Sequence, residues 1–446
     1  MTLRNKLIKN FGANAYGQIV TTLIQLVSVP LYLKYWGVHI YGEWLILSSI
    51  PAYLALSDIG FASVAANDMT MKMAAKDLKG ALCSYQSVWV LITLISFVFC
   101  VVCLITIELY STVDLLNIKY INEEDVKIVL SFLVVYTLLG LQVNIVSSVF
   151  RAVGQYAVGA FAGNTARLAE WLVALLMLIN GGGIVSVVIT MFVIKSVSCF
   201  AMFLYARKIE KNLNIGIKYA SLKEIGRLWK SAVAFMSFPL GLALGLQGTV
   251  LVIGATIGAT AVVVYSTYRT LTRLLVQCVT LINQSVWPEL SRAYGQKNIK
   301  LVIQIFRKVS SVCISVGLVA VGVLSVIGGG IIQIWTNHHF ESNQTLLAVM
   351  LLGAFINICW QPSWVVLMAI NRHSVISIYF VVETLVGLIL SYFIASYFGI
   401  IGIATVLTLL EVPMAYLAID KVLGVLNDSW TVYIKKTCGF SMFVSD

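Results

Sequence analysis

Eight charged residues lie inside long apolar stretches of this sequence, where charge is rare. The chain has 446 residues, of which 60% are hydrophobic and only 11% are charged. A charge at the centre of a lipid bilayer costs about 3 kcal/mol on insertion scales, so such residues mark ligand or ion pathways or structural pairs. They are the cations Arg167, Lys195, Arg269 and Arg273 and the acids Asp58, Glu170, Glu383 and Glu411.

Arg269 and Arg273 have the most informative spacing. They stand four residues apart, which places them on one face of a helix, and their apolar stretch contains no acid. Two such cations need either acids from neighbouring helices or an anionic ligand in a water-filled cavity. Guanidinium groups form strong charge-assisted hydrogen bonds with phosphate oxygens. We therefore expect Arg269 and Arg273 to bind an anionic ligand.

The other two cations have possible acidic partners. Arg167 and Glu170 are three residues apart and share a helical face, which predicts a mutual ion pair. Lys195 could pair with Glu383 or Glu411, and the sequence leaves this choice open. Arg167 and Lys195 are also candidate ligand-binding residues, since each places a cation within an apolar stretch.

The four acids are candidates for binding a coupling ion, because a carboxyl group in hydrocarbon readily changes its protonation state. Asp58 stands two residues before Gly60 at a predicted helix break, where helix capping competes with coupling. We predict that at least one of these acids takes part in coupling: Asp58, Glu170, Glu383 and Glu411. A proton or sodium gradient is the candidate energy source, and no cofactor is expected.

No other constellation predicts catalysis or a metal site. The sequence lacks a G-x-x-x-x-G-K-[ST] loop, so ATP is not the direct energy source. Cys100 and Cys103 have no second pair, and the adjacent His338 and His339 are poorly spaced to share one metal ion. The net charge of +11 is spread over separate loops, which argues against a nucleic-acid partner. We therefore predict that the chain is not an enzyme.

The elements that position these charges are transmembrane helices. The mean hydropathy is +0.93, and about 20 apolar residues are enough to cross a bilayer. The sequence therefore predicts an all-α integral membrane protein with about twelve spans. The apolar runs are 11–33, 44–66, 81–107, 127–150, 157–179, 184–206, 229–253, 261–286, 309–335, 344–370, 374–396 and 399–421.

Lys and Arg predict the orientation of these spans, since basic loops are retained in the cytoplasm. With the N-terminus inside, 23 of the 30 basic residues fall in cytoplasmic segments, and only Lys34, Lys119 and Lys127 fall outside. This distribution predicts that both termini are cytoplasmic. The same basic loops are expected to attract anionic membrane lipids.

The two halves of the sequence repeat at an offset of 221 residues. Both halves show six apolar runs and a basic loop after the second run, which predicts two six-helix lobes around a central cavity. The predicted domains are the lobe 1–206, a cytoplasmic linker 207–228, the lobe 229–421 and a cytoplasmic tail 422–446. The aligned pairs are Lys9 with Lys230, Gly37 with Gly258, Lys76 with Lys297 and Lys79 with Lys300.

Short motifs near the second and eighth runs add a family resemblance. The segments Tyr265-Ser-Thr-Tyr268-Arg269 and Val286-Trp-Pro288-Glu289-Leu-Ser291-Arg292-Ala-Tyr294-Gly295 resemble the eighth helix of polysaccharide transporters in the multidrug/oligosaccharidyl-lipid/polysaccharide (MOP) exporter superfamily. Tyr41-Gly-Glu-Trp44, followed by Leu56-Ser-Asp58-Ile-Gly60-Phe, resembles the second-helix region of the Wzx-type O-antigen flippases in that superfamily.

This resemblance implies a flippase that moves a polyprenyl-diphosphate-linked oligosaccharide to the outer leaflet by alternating access, for O-antigen or other surface polysaccharide synthesis. It also implies the bacterial cytoplasmic (inner) membrane as location and other polysaccharide-assembly membrane proteins as candidate partners. Arg269 and Arg273 match the expected cavity cations. The first helix offers Asn14, Gln18 and Gln25 in place of basic residues.

Two other functions fit the same composition. A drug/cation antiporter of the same superfamily would favour a cavity rich in acids and aromatic residues, whereas the eighth run carries two arginines. A membrane-embedded O-antigen polymerase, which is a glycosyltransferase, is expected to have a large outer loop. The longest predicted outer loop, 108–126, is short and acidic.

Overall fold

The computed structural model describes residues 3–55, 60–370 and 372–438. Within these ranges the chain forms fourteen α-helices and one π-helical turn, without strands. The elements are α1 Leu3–Leu54, α2 Phe61–Ala74, α3 Leu78–Leu109, α4 Thr112–Leu116, α5 Glu123–Ala152, α6 Tyr156–Ile179, α7 Ile184–Ile209, α8 Leu222–Ala243, π1 Leu244–Gly248, α9 Thr249–Thr256, α10 Ala259–Gly295, α11 Ile299–Trp335, α12 Gln344–Ala369, α13 Ser374–Leu426 and α14 Trp430–Cys438.

The prediction of an all-α membrane protein with about twelve spans in two six-helix lobes is confirmed. Nine helical segments in the described ranges are long and apolar enough to cross a membrane. One of them, α13, contains two of the predicted runs, and α1 contains the run 11–33 and the first part of 44–66. The helix α10 contains a further run, which is more polar because it carries Arg269 and Arg273. The run 44–66 is not one helix, since α1 ends at Leu54 and α2 begins at Phe61.

Glycines change the direction of the chain within the two longest helices. Gly37 in α1 has φ 71° and ψ 178°, and Gly399 in α13 has φ 57° and ψ −149°. These conformations suit glycine, which has no Cβ to clash with the backbone at positive φ. Each glycine therefore separates two helices that follow one another directly, without a loop between them.

The backbone confirms the internal repeat at the predicted offset. Positive φ is uncommon outside glycine, yet three pairs of residues that lie 221 positions apart in the chain adopt it. Two of the pairs consist of identical residue types, and the third pairs different residue types. The pairs are Gly37 with Gly258, Lys76 with Lys297 and Asn117 with His338.

Helix N-caps repeat in the same way. Asp77 caps α3 by accepting from the backbone N–H three residues later, and Asn298 does the same for α11. Asn122 and Asn343 cap α5 and α12 with the same geometry. A side-chain oxygen at this position satisfies an N–H that the helix leaves unpaired. The turns that precede these four helices are therefore the best-preserved parts of the repeat.

The chain divides into two compact units, Met1–Thr260 and Ala261–Asp446. In the first unit, α8 packs against α2 and α3, and α9 packs against α1. The segment between α7 and α8 is shorter than the predicted linker 207–228, because the helices extend into it and leave only 210–221 outside them. The lobe boundaries at 206 and 229 stay a prediction.

Candidate functional site

The first unit contains a polar cavity of about 600 Å³ between α2, α5, α6 and α7. Its space arises because the facing helices carry small residues. Ala62, Ser63 and Ala66 of α2 lie on one side, and Gly159 and Gly163 of α6 lie on the other. The hydrogen-bonding and charged residues of its wall include Tyr136, Asn144, Ser147, Arg151, Tyr156, Asn164, Arg167, Glu170 and Lys195.

A buried carboxylate lies in the wall of the cavity. Glu170 is only 3% exposed, and both of its oxygens are engaged. Tyr136 donates its hydroxyl to Oε2 at 2.8 Å, and the Lys195 Nζ donates to Oε1 at 3.3 Å. The Lys195 ammonium also lies 5.2 Å from the centre of the Tyr136 ring. The three residues thus form one compact cluster, in which Glu170 offsets the charge of Lys195.

The predicted ion pair between Arg167 and Glu170 is wrong. In the described part of the chain no carboxylate lies within salt-bridge distance of Arg167, whose guanidinium donates to the Thr21 hydroxyl at 3.1 Å. The two residues share a face of α6, but Glu170 turns towards α5 and α7, where Tyr136 and Lys195 lie. Most of the Arg167 N–H donors therefore remain available to a ligand.

Arg151, which directly follows the predicted apolar run 127–150, is a cavity residue that was not among the predicted ligand-binding residues. It lies in the last turn of α5, 5.6 Å from the centre of the Tyr156 ring, and it lines the cavity. The repeat offers a signal that could have singled it out, since Arg372 stands 221 residues later at the end of α12. Among the described residues, the charged lining comprises three cations (Arg151, Arg167 and Lys195) and the acid Glu170, which gives these residues a net charge of +2.

Arg269 and Arg273 belong to the second unit, so the structure does not place them in this cavity. Both lie on α10 and are half-buried. The Arg269 guanidinium lies 5.7 Å from the centre of the Tyr265 ring. No salt bridge joins Arg273 to Glu383 or Glu411, although all three residues are described.

Glu411 is held by a hydrogen-bonded network inside the second unit. Trp360 donates its indole N–H to Oε2 at 2.8 Å, and the Asn357 amide lies 3.3 Å from Oε1. Asn357 in turn accepts from Gln361, which accepts from Asn283 of α10. The network links α10, α12 and α13. Lys195 pairs with Glu170 in the first unit, so the alternative of a Lys195–Glu411 pair is not observed.

Glu383 and Asp58 are the remaining predicted coupling residues. Glu383 is 9% exposed, and its Oε2 has no hydrogen-bond partner among the described residues. A buried carboxyl oxygen without a donor is suited to holding a proton or a cation. Asp58 lies outside the described residues.

The motif Tyr41–Trp44 has a structural role in the first unit. Glu43 is 1% exposed and accepts hydrogen bonds from three successive backbone N–H groups, those of Lys119, Tyr120 and Ile121, at 2.6, 2.8 and 2.9 Å. Gly42 packs against the backbone of Ala259 so closely that a Cβ would clash with it. The motif therefore fastens the loop before α5 and the turn before α10 to α1.

Comparison with known proteins identifies this architecture. No family model matches the sequence, and no curated protein matches it. Solved structures do match. One is described as an inward-facing multidrug resistance MATE family transporter of the MOP superfamily, at 13% identity over 91% of this chain and 98% of that chain, with a TM-score of 0.74.

Two further matches have the same fold. The lipid II flippase MurJ in an inward closed conformation has 14% identity over 95% of this chain and 90% of that chain, with a TM-score of 0.71. A MOP superfamily transporter from Pyrococcus furiosus, whose binding pocket is described as having reverse polarity, has 14% identity over 95% of both chains and a TM-score of 0.60. The chain is therefore a multi-pass membrane protein with the fold that these MATE transporters and the lipid II flippase MurJ share.

Proposed function

We propose that this chain is a flippase for a polyprenyl-diphosphate-linked oligosaccharide, moved from the cytoplasmic to the outer leaflet of the bacterial inner membrane. The observation that carries the proposal is the charge of the cavity in the first unit. In the described lining, Arg151, Arg167 and Lys195 exceed the acid Glu170 by two charges, and a diphosphate diester carries about two negative charges. The cavity wall therefore suits an anion far better than a cation.

The other side chains of the cavity suit a sugar. Asn144, Ser147 and Asn164 line the same space as the cations and present amide and hydroxyl groups that donate and accept hydrogen bonds. A glycan hydroxyl needs both kinds of partner. A purely apolar drug would leave these groups unpaired, and buried polar groups without partners cost about 1–3 kcal/mol each.

Arg269 and Arg273 remain proposed phosphate ligands in the second unit. They share one face of α10, and Arg273 forms no salt bridge with the described acids. If they bind phosphate, lysine at either position keeps the charge and retains part of the transport rate, whereas alanine loses most of it. Unchanged transport with alanine at both positions, at normal protein abundance, would remove them from the site.

A membrane potential and a coupling ion would supply the driving force. With the cytoplasm negative, outward movement of each negative charge is favoured by about 2.3 kcal/mol per 100 mV. Glu383, with its unpaired buried oxygen, is our first candidate for the proton or sodium ion that resets the carrier. Glu411, Glu170 and Asp58 are the others.

A drug/cation antiporter is the second candidate function. It is favoured by two acids of the second unit, the buried Glu383 and the half-buried Glu411, because a cationic drug needs negative partners. Against it stands the positive cavity of the first unit. The two functions differ in the sign of the substrate charge, so a single assay separates them.

That assay uses the full chain in proteoliposomes containing a fluorescent short-chain polyprenyl diphosphate that carries one sugar. Transport is measured as protection of the fluorophore from a membrane-impermeant reductant, and ethidium uptake is measured in parallel. Arg167→Ala is expected to slow lipid transport by about 10- to 100-fold, since a charge-assisted hydrogen bond contributes about 1.5–3 kcal/mol. Arg167→Lys should retain part of the rate.

Arg207→Ala is the matched control, because Arg207 is an exposed arginine at the end of α7 and does not line the cavity. It should transport at the wild-type rate. Ethidium uptake without movement of the diphosphate lipid would favour the antiporter. Equal loss in Arg167→Ala and Arg207→Ala would show that the cavity charge has no specific role.

A further inference from the structure

Five side chains form a charged network where α2, α3 and α8 meet, on the side predicted to be cytoplasmic. The Lys72 Nζ lies 2.8 Å from Asp68 and 2.6 Å from Glu224. The Arg227 guanidinium lies 2.7 Å from each of the same two carboxylates. The Ser84 hydroxyl of α3 lies within hydrogen-bond distance of both acids, at 2.6 and 2.7 Å, and can donate to either one. Each carboxylate is thus bound by a cation of its own helix and by a cation of the other helix.

The network is partly sheltered from water and remains charged. The Asp68 side chain is 8% exposed and that of Glu224 is 14% exposed. The hydrogen bond from Arg227 is the main cause that lowers the pKa of Glu224 to about 2. Burial raises the pKa of Asp68, but hydrogen bonds from Arg227, Lys72 and Ser84 outweigh burial and lower it overall. Two cations therefore face two carboxylates at any physiological pH.

A second set of contacts fastens the segment before α8 to α3. The Gln86 amide donates to the backbone oxygen of Asn214 at 3.1 Å and accepts from the backbone N–H of Tyr219 at 2.7 Å. The backbone N–H of Ser221 donates to the Ser87 hydroxyl at 2.8 Å. The chain is thus held to α3 up to the residue before α8 begins.

The position of the network connects it to the cavity. One part of α2 lines the cavity with Ala62, Ser63 and Ala66, and the next turns carry Asp68 and Lys72. By the 221-residue repeat, α8 is the first helix of the second half of the chain, as Lys230 corresponds to Lys9. The network therefore joins the start of the second half to the helix that forms one wall of the cavity.

We propose that this network is a latch, closed in this structure, that must open in each transport cycle. The latch rests on one part of the proposed function, namely that the chain transports a substrate by changing conformation. It does not depend on the identity of that substrate. The four charged groups stay ionised at physiological pH, so a change of pH does not open the latch. The latch opens instead when bound substrate or ion shifts the equilibrium between conformations.

The first test measures opening without any substrate. Ser84 is fully buried beneath the network, so Ser84→Cys reacts with a membrane-impermeant maleimide only when α8 moves away from α3. The experiment uses inverted membrane vesicles and the full chain with its eight native cysteines replaced. Arg227→Gln should speed this labelling about tenfold, a shift of about 1.4 kcal/mol in the opening equilibrium.

Lys223→Gln is the control, because Lys223 is an exposed cation in the same turn of α8 and takes no part in the network. It should leave the labelling rate unchanged. Arg227→Lys, which keeps the charge but not the planar fork, should fall between Arg227→Gln and the parent. Equal labelling rates in Arg227→Gln and Lys223→Gln would overturn the latch.

The second test locks the latch. The backbone N–H of Ser221 donates to the Ser87 hydroxyl at 2.8 Å, which brings the two residues close enough for a disulfide to join cysteines at these positions. Ser87→Cys with Ser221→Cys should transport when reduced, stop when oxidised and recover on reduction. Normal transport by the oxidised protein would refute the proposal. If no diphosphate lipid moves even in the parent protein, the proposed function fails, while the labelling test still decides on the latch.

Discussion

Replacing Lys195 by methionine tests the organisation of the cavity cluster most directly. Methionine keeps the length of the side chain and removes the charge, so the packing of α7 against α5 and α6 changes little. Glu170, whose side chain is 4% exposed, then loses its only salt-bridge partner in the described chain. It keeps one hydrogen bond, from Tyr136.

The expected cost follows from this geometry. Removing one partner of a buried ion pair leaves an uncompensated charge and costs about 3–5 kcal/mol. The remaining hydrogen bond from Tyr136 satisfies one carboxylate oxygen, so we expect a value near the lower end, about 3 kcal/mol. Glu170→Gln combined with Lys195→Met removes both charges and should return the stability to within about 1 kcal/mol of the parent.

The assay is a double-mutant cycle on thermal unfolding in detergent, accompanied by the abundance of each variant in the membrane. The single variant Lys195→Met should unfold at lower temperature and be less abundant, and the double variant should recover both properties. The single variant lowers the net charge of the described cavity lining from +2 to +1, whereas the double variant loses one cation and one acid and keeps it at +2. Transport of an anionic lipid should therefore fall in the single variant and recover in the double variant. If the single and double variants are equally destabilised, Glu170 and Lys195 are not coupled and the cluster is misread.

Three further predictions concern regions outside the cavity. Glu43→Gln should weaken the acceptor of three backbone hydrogen bonds, cost about 2 kcal/mol of stability and increase proteolysis in 117–122. The pKa of Glu224 is lowered from 4.5 to about 2, so the stability that its carboxylate contributes is complete above pH 4.5 and is lost as the pH falls towards 2. The unfolding temperature of Glu224→Gln should therefore differ from that of the parent at pH 7 but not near pH 2. Reporter fusions should place Lys211 in the cytoplasm and His338 outside, and an external signal at Lys211 would overturn the predicted orientation.

The membrane explains why so much of the fold was predictable. A spanning helix must satisfy its backbone internally and fill the bilayer with apolar residues, so its length and position are visible in the sequence. The repeat was visible for a related reason. Its turns need particular backbone conformations, and Lys76 and Lys297 both adopt positive φ before a helix capped by Asp77 or Asn298. These are local constraints.

The partners of the buried charges were not predictable, because they depend on how the helices rotate and pack. Arg167 and Glu170 lie on one helix face, yet the structure pairs Glu170 with Lys195, which is 25 residues away. Arg151 directly follows a predicted span, a position typical of a basic residue in a cytoplasmic loop, but in the structure it lines the cavity. The sequence shows that a charge is present and expensive, but the packing of three helices decides what it contacts.

The repeat also suggests that the two halves of the chain bind ligands of different charge. Tyr136 and Asn357 are equivalent by the 221-residue offset. Tyr136 donates a hydrogen bond to the carboxylate of Glu170, and Asn357 donates one to the carboxylate of Glu411. Among the described residues, Glu170 is paired with the cation Lys195, whereas Glu411 accepts from the neutral donors Trp360 and Asn357, and one oxygen of Glu383 has no hydrogen-bond partner. An anion is therefore favoured at the first site and a proton or cation at the second. In the proposed flippase, the cations of the first half and Arg269 and Arg273 of α10 would bind the diphosphate, and the acids of the second half would bind the coupling ion.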